Sequence, residues 1–332
     1  MAVQLTSLAE IKDIISESKK KLDAEGGFKN VIMCACGGSH ACFWPAEYFI
    51  RSESKDMVVY NITANEFNYA RPACLGKNSL VITLSLSGST PETVAAAKNA
   101  KEAGAVVISI VAMEHTKLAE NADYVVYYGT EDKVPCYGHN QYLILALAVE
   151  IVNQTEGYKD YDKMMAGFDR ITDIVIKAVA QVHDRAMKWG EENKDERIIY
   201  TIGSGSSFYV AYMQTICMYM EMEWVDSNAI HAGEFFHGPF EVTEYDKRFM
   251  IFMNEGKTRA LDERALKFLK NYADKITVVD SKELGLLAID PEVVDYFNPL
   301  LLWPVAMEYA EGLARAKKHP LFMRRYMGKV QY

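Results

Sequence analysis

Short apolar runs alternate with longer amphipathic stretches along the chain. Residues 30–39 read NVIMCACGGS, an apolar run that breaks into Gly37-Gly38-Ser39. Residues 79–90 (SLVITLSLSGST) and 103–112 (AGAVVISIVA) follow the same plan. Each is rich in Val and Ile and bounded by turn residues, which predicts a strand buried on both faces. The order then returns in 197–206 (RIIYTIGSGS), 248–258 (RFMIFMNEGKT) and 273–282 (ADKITVVDSK). Aligning Gly37 with Gly203 gives an offset of 166, and the three pairs stay between 166 and 170. Three matches in order predict two copies of one α/β unit.

The intervening stretches read as helices. Residues 91–103 (PETVAAAKNAKEA) hold good helix formers with Pro91 in front, where its missing N–H costs nothing. Residues 139–153 (HNQYLILALAVEIVN) are apolar nearly all round, as suits a buried helix. Residues 260–272 repeat the helix between the second and third strands. A long amphipathic stretch, 163–190, ends at Gly190 and bridges the halves. The expected domains are therefore 1–165 and 166–332. Strand–helix alternation implies doubly wound, mostly parallel sheets covered by helices.

Composition narrows the function classes. Half of the 332 residues are hydrophobic and 24% are charged, which is globular and allows about two domains. The net charge of −9, without a long basic run, disfavours nucleic acid as a partner. No window approaches ~18 consecutive apolar residues, so no membrane span is expected. The first residues mix Glu, Lys and Ser through their apolar positions, unlike a signal peptide. The expected location is the cytoplasm. The six cysteines form no CxxC pair and no ligand spacing, and they read as reduced thiols. Neither a metal nor another cofactor is expected.

In doubly wound sheets, ligands bind where strands end and helices begin. Two loops of the first half fit that place. One is Gly37-Gly38-Ser39-His40; the other is Ser85-Leu86-Ser87-Gly88-Ser89-Thr90. The second offers four hydroxyls, one Gly for close backbone approach, and a helix N-terminus behind it. Ser89 with Glu92 can form a capping box, or Thr90 can cap with Pro91 at the first helical position. Amides, hydroxyls and the positive helix end make an uncharged phosphate cradle, although such hydroxyls also serve simply to cap and turn. There is no GxxxxGK[ST] and no complete GxGxxG, so a sugar phosphate fits better than a nucleotide. In the second copy, Asn254-Glu255-Gly256-Lys257-Thr258 replaces the serines. Glu255 there repels phosphate, which leaves one expected phosphate site per chain, in the first half.

Cys-Gly-Gly-Ser followed by Ser-x-Ser-Gly-Ser-Thr-x-Glu-Thr resembles the sugar isomerase (SIS) domain family. Residues 231–240 (HAGEFFHGPF) add Gly-Glu-x-x-His-Gly-Pro, similar to the active-site segment in the isomerase half of glucosamine-6-phosphate synthase. The tail RRYMGKVQY, Arg324 to Tyr332, and the Gly-Glu-Phe form resemble the fructosamine-6-phosphate deglycases. The resemblance covers nearly the whole chain. It implies two tandem SIS domains, each with a flavodoxin-like, mostly parallel five-stranded sheet flanked by helices.

The resemblance also implies roles. The family's catalytic Glu lies sixteen residues before the His of the HGP segment, which points to Glu221 and His237. Glu221 would shuttle a proton between C1 and C2, and His237 would assist ring opening. Burial among Met218, Met220, Met222 and Trp224 is expected to tune Glu221, with Glu223 as a competing carboxylate. The phosphate set is Gly37, Gly38, Ser39, Ser85, Ser87, Gly88, Ser89 and Thr90. Further substrate contacts are His40, His139, His231 and Glu234, the last of which can instead cap its turn. Arg324, Arg325 and Lys329 are tail candidates. The implied reaction cleaves a fructosamine 6-phosphate to glucose 6-phosphate and an amino acid. Glucosamine-6-phosphate deamination or aldose–ketose isomerisation uses the same groups, and a non-catalytic sugar-phosphate sensor shares the fold. SIS sites are commonly built across two chains, so a homodimer or a dimer of dimers is expected.

Overall fold

The computed structural model describes residues 3–130 and 136–331. Met1 and Tyr332, the outer ends of the two expected domains, lie outside the described residues. The chain forms two compact units, divided between Phe168 and Asp169.

The first unit holds a five-stranded sheet. Its strands are β1 (Asn30–Ala35), β2 (Val58–Thr63), β3 (Ser79–Ser85), β4 (Val106–Val111) and β5 (Tyr124–Tyr127). The order is β2-β1-β3-β4-β5, and every pairing is parallel. Every residue of β1, β3 and β4 is buried, as a parallel sheet covered on both faces requires. The helix Pro91–Glu102 packs through small side chains, burying Ala96, Ala97 and Ala100 against Ile32, Val81 and Val107. The helix Asn140–Glu156 buries an unbroken run from Gln141 to Val152, so its apolar circumference is used in full. Strand order reverses at β1, which has β2 on one side and β3 on the other. The crevice beyond the carboxyl ends of β1 and β3 is therefore the place where this topology accepts a ligand.

The second unit repeats the plan with one strand fewer. Its strands are β6 (Ile198–Gly203), β7 (Asp226–His231), β8 (Arg248–Met253) and β9 (Lys275–Asp280), in the parallel order β7-β6-β8-β9. The expected fifth strand is absent among the described residues. After β9 the chain enters two short 3-10 turns, Leu286–Ala288 and Val294–Phe297. Gly285, at φ +91°, turns the backbone left-handed, Pro291 removes a donor, and the segment forms turns instead of a ladder.

The helix Asn298–Lys317 follows and crosses the last turns of the helix Tyr161–Asn193 at a pair of glycines. A Cβ on Gly190 would lie 2.1 Å from the Gly312 carbonyl oxygen, and one on Gly312 would lie 2.3 Å from that of Ala186. Only glycine permits this approach, which fixes where the C-terminal tail departs.

Candidate active site

In the first unit, the loops leaving β1 and β3 start side by side, because Ala35 pairs with Leu84. The Gly37–His40 segment is a short helix, Gly37–Ala41, where the sequence suggested a loop. Gly37 starts it at φ +57°, and Gly38 and Ser39 form its first turn. His40 is half-buried with its ring edge toward Trp44, and burial holds the imidazole below its ordinary pKa, which favours the neutral form. Its Nε2 is buried without a hydrogen-bond partner.

The serine loop is braced from within. The Ser85 and Thr90 hydroxyls lie 2.9 Å apart, and those of Ser87 and Ser89 lie 2.7 Å apart. Gly88 turns at φ +61°, and a Cβ there would lie 2.4 Å from Cβ of Thr116. The Gly88 carbonyl accepts from the Leu118 amide, and the Leu86 carbonyl from the Ala112 amide, which pins the loop to its neighbours. No capping box forms. Thr90 is the N-cap of the helix Pro91–Glu102, but its hydroxyl is turned to Ser85 and makes no cap bond. The first amides of a twelve-residue helix are thus left without a side-chain cap, behind exposed Ser87 and Ser89.

The equivalent place in the second unit is filled by the chain itself. Asp295 lies against Gly256, where a Cβ would sit 2.4 Å from its Cγ. Its carboxylate accepts from the Ser206 hydroxyl at 3.2 Å and the Lys257 amide at 3.4 Å. Asn298 accepts from the Glu255 amide at 2.8 Å. Asn254 donates to Ser204, Thr258 and Asp262. Burial pushes the Asp262 carboxyl up to about 6 against these donors. Arg259 pairs with Asp280 at 2.7 Å and Glu255 at 3.4 Å.

The second unit has its own opening. A π-helix, Gln214–Glu223, follows the short helix Phe208–Met213, and Trp224 ends it at φ +56°. Such i→i+5 segments are rare and gather at functional sites. Its last turn and the tail enclose a cleft of about 410 Å³, lined by Met220, Glu221, Trp224, Val225, Asp226 and residues Arg324 to Met327. Arg324 Nη2 lies 2.8 Å from Glu221 Oε1. Its Nη1 donates to the carbonyls of Leu321 and Met323, which holds the guanidinium to its own turn. Arg325 lies over the Trp224 ring, 4.1 Å from the centroid. Lys329 donates to the Arg324 carbonyl and so braces the tail rather than entering the cleft.

The expected burial of Glu221 is corrected. Its side chain is 24% exposed, and Met220 beside it is half-exposed. Burial falls instead on Glu223, which is 1% exposed with both carboxylate oxygens unpartnered. Desolvation pushes its carboxyl up to about 7, opposed by Lys317. Lys317 bonds the Glu223 carbonyl at 2.6 Å rather than the carboxylate. Glu223 points into packing; Glu221 is the carboxylate that a ligand can reach.

His237 is exposed on a turn held by aromatic packing. Phe235, fully buried, meets Phe236, Phe240 and Phe268, and the His237 amide bonds the Glu234 carbonyl at 2.9 Å. The His237 ring makes no hydrogen bond with Glu221. Glu234 does not cap the turn with its exposed carboxylate; its backbone carbonyl does that work. His231 ends β7, where its Nδ1 accepts from the Gly233 amide. His139 is the N-cap residue of the helix Asn140–Glu156 and makes no side-chain cap bond. The structure thus joins Glu221 with Arg324 and Arg325, and joins the two loops of the first unit. Asp226, which lines the cleft, carried no motif; Tyr326 lies in the tail motif but was not singled out as a contact.

Comparison with known proteins identifies the family. A model of the SIS domain matches residues 29–152. The fructosamine deglycase FrlB of Bacillus subtilis (strain 168) is 40% identical over 303 residues, spanning 91% of this chain and 92% of that protein. The fructoselysine 6-phosphate deglycase of Escherichia coli (strain K12) is 24% identical, spanning 90% and 85%. A solved Salmonella typhimurium LT2 protein, described as a candidate phosphosugar isomerase, superposes with a TM-score of 0.95 at 40% identity, covering 100% of this chain and 99% of its own.

Proposed function

The chain belongs to the SIS-domain family that includes the fructosamine deglycases, and on that premise we propose that it is a fructosamine-6-phosphate deglycase. The substrate is a 1-amino-1-deoxyfructose 6-phosphate carrying an amino acid on its nitrogen. Ser39, Ser85, Ser87, Ser89 and Thr90, with the amides of the glycine turns and of the helix Pro91–Glu102, receive the phosphate. His237 moves the proton that opens the hemiketal ring to the ketone. Glu221 takes a proton from C1, giving an enaminol, and returns it to C2. The product of that shift is an imine of glucose 6-phosphate. Water adds to it, the C–N bond breaks, and glucose 6-phosphate and the amino acid leave. The sequence of steps conserves oxidation state, so it asks only for acid–base groups.

The observation that carries this reading is the placement of Glu221: a carboxylate opening onto a cleft of about 410 Å³, in a chain 40% identical to a fructosamine deglycase. We further propose that the working form is a cytoplasmic homodimer or dimer of dimers; among the described residues no helix is long and apolar enough to cross a membrane.

The test incubates the protein with fructoselysine 6-phosphate, the asparagine and aspartate analogues, and glucosamine 6-phosphate. Glucose 6-phosphate and fructose 6-phosphate are read by coupled dehydrogenases. Glucose 6-phosphate is expected from a fructosamine, and Glu221→Gln should lower kcat by about 10²–10⁴ with a smaller change in KM. Fructose 6-phosphate from glucosamine 6-phosphate alone would replace the reading by a deaminase. Binding without turnover of any of them would replace it by a sensor.

A further inference from the structure

We propose that Arg324 and Arg325 recognise a carboxylate on the amine half of the substrate, and that Arg324 exchanges Glu221 for that carboxylate when the substrate binds. The inference rests on the deglycase reading above and adds the group by which the substrate is chosen.

Three observations carry it. First, Arg324 is anchored on one side and committed on the other. Nη1 is spent on the Leu321 and Met323 carbonyls at 2.6 and 2.9 Å, and Nη2 reaches Glu221 at 2.8 Å. Both side chains of the pair are partly shielded, at 19% and 24% exposure, so the contact is not a fully solvated surface pair. Second, Arg325 lies over Trp224 and has no ion pair among the described residues, although the cleft also contains Asp226. A guanidinium stacked on an aromatic ring keeps its edge N–H groups for a planar anion. Third, Oε1 of Glu221 is occupied, and an oxygen held by a guanidinium is not open to a C–H proton. Only Oε2 is left for that proton, and a second anion that draws the arginine away opens both oxygens.

The substrate brings such an anion to the right distance. In a fructosamine built on an α-amino group, only the nitrogen and Cα separate C1 from the carboxylate carbon. Three bonds of about 1.5 Å keep the two within about 4 Å of each other. The guanidinium that touches the base for C1 is therefore within reach of the carboxylate two atoms away. A carboxylate attached through the ε-nitrogen of lysine has no such constraint. Carboxylate–guanidinium recognition is strong and directional, so arrival of the correct amine half both holds the substrate and clears the base.

The test uses a matched pair of 6-phosphates, fructosylglycine and fructosylmethylamine, which differ only by the carboxylate. The wild-type protein is expected to favour the glycine adduct by about 30-fold or more in kcat/KM, since an unpaired charged site rejects the analogue that lacks its partner. Arg324→Gln should bring the two values to within about threefold of each other, with Arg324→Lys between. Inhibition by glucose 6-phosphate, which has the phosphate and no carboxylate, should change less than threefold in Arg324→Gln. A merely structural role would depress both substrates alike and leave their ratio intact, and that result overturns the inference. So does a wild-type ratio near one, which needs no variant to fold, and so does a glucose 6-phosphate inhibition weakened in step with turnover. No glucose 6-phosphate from either adduct, or from any other fructosamine, would instead sink the deglycase reading and this inference with it.

Discussion

Glu223 gives a stability prediction whose size can be worked out. Its side chain is 1% exposed, and neither carboxylate oxygen has a partner. Burial raises the carboxyl from 4.5 to about 7, with Glu311 adding to the shift and Lys317 opposing it. Between those values the folded protein keeps a proton that the unfolded chain has released. Folding therefore takes up a proton in this window, and stability falls as pH rises through it, with the full loss present above the folded pKa. At about 1.4 kcal/mol per pH unit, the loss between pH 5 and pH 8 is roughly 2–3 kcal/mol. Glu223→Gln cannot ionise and lacks this loss. Chemical denaturation of both proteins at the two pH values isolates it, because all other titrating groups cancel in the difference. The variant's stability relative to wild type should improve by about 2–3 kcal/mol from pH 5 to pH 8. For a unit of this size that is roughly 5–10 °C in Tm for the transition of the second unit. A difference constant with pH to within about 0.5 kcal/mol refutes the argument.

Two further outcomes follow from other contacts. Gly312→Ala should destabilise the second unit by about 2–4 kcal/mol, read from denaturation midpoints, because its methyl meets the Ala186 carbonyl at 2.3 Å and neither helix can shift without the other. His237 is exposed and makes no hydrogen bond with Glu221, which suits a site completed by a second copy. Mixing inactive Glu221→Gln with inactive His237→Ala should then restore about a quarter of wild-type activity, since half the dimers are mixed and each holds one intact site; no recovery after subunit exchange would assign both groups to one chain.

Much of the fold was legible because a parallel sheet writes its strands as continuous apolar runs, and β1, β3 and β4 are buried at every position. The fifth strand of the second unit was not. Leu286, Ile289, Val293 and Val294 are as apolar as a strand, but they are spaced by Gly285 and Pro291, and those two backbones decide the outcome. The site divided the same way. Glu221, which the family resemblance picks out, opens onto the cleft, whereas its environment was not legible. Hydrophobic neighbours suggested burial, but i→i+5 bonding rotates successive side chains away from helical phase, turning Glu223 inward and Met220 outward. The Arg324–Glu221 pair joins positions 103 residues apart, beyond any local pattern.

The duplicated loops carry a consequence for how this chain responds to its surroundings. In the second unit Asp295 sits between the loops that leave β6 and β8, bonded to Ser206 and Lys257. It is tethered there, and a tethered group acts at an effective concentration of about millimolar or more. A free phosphate ester must displace that tethered carboxylate before it can bind there. One half of an inherited pair keeps its turn open to solvent; the other has internalised a carboxylate. Under the function proposed above, a phosphate ester then binds once per chain rather than twice.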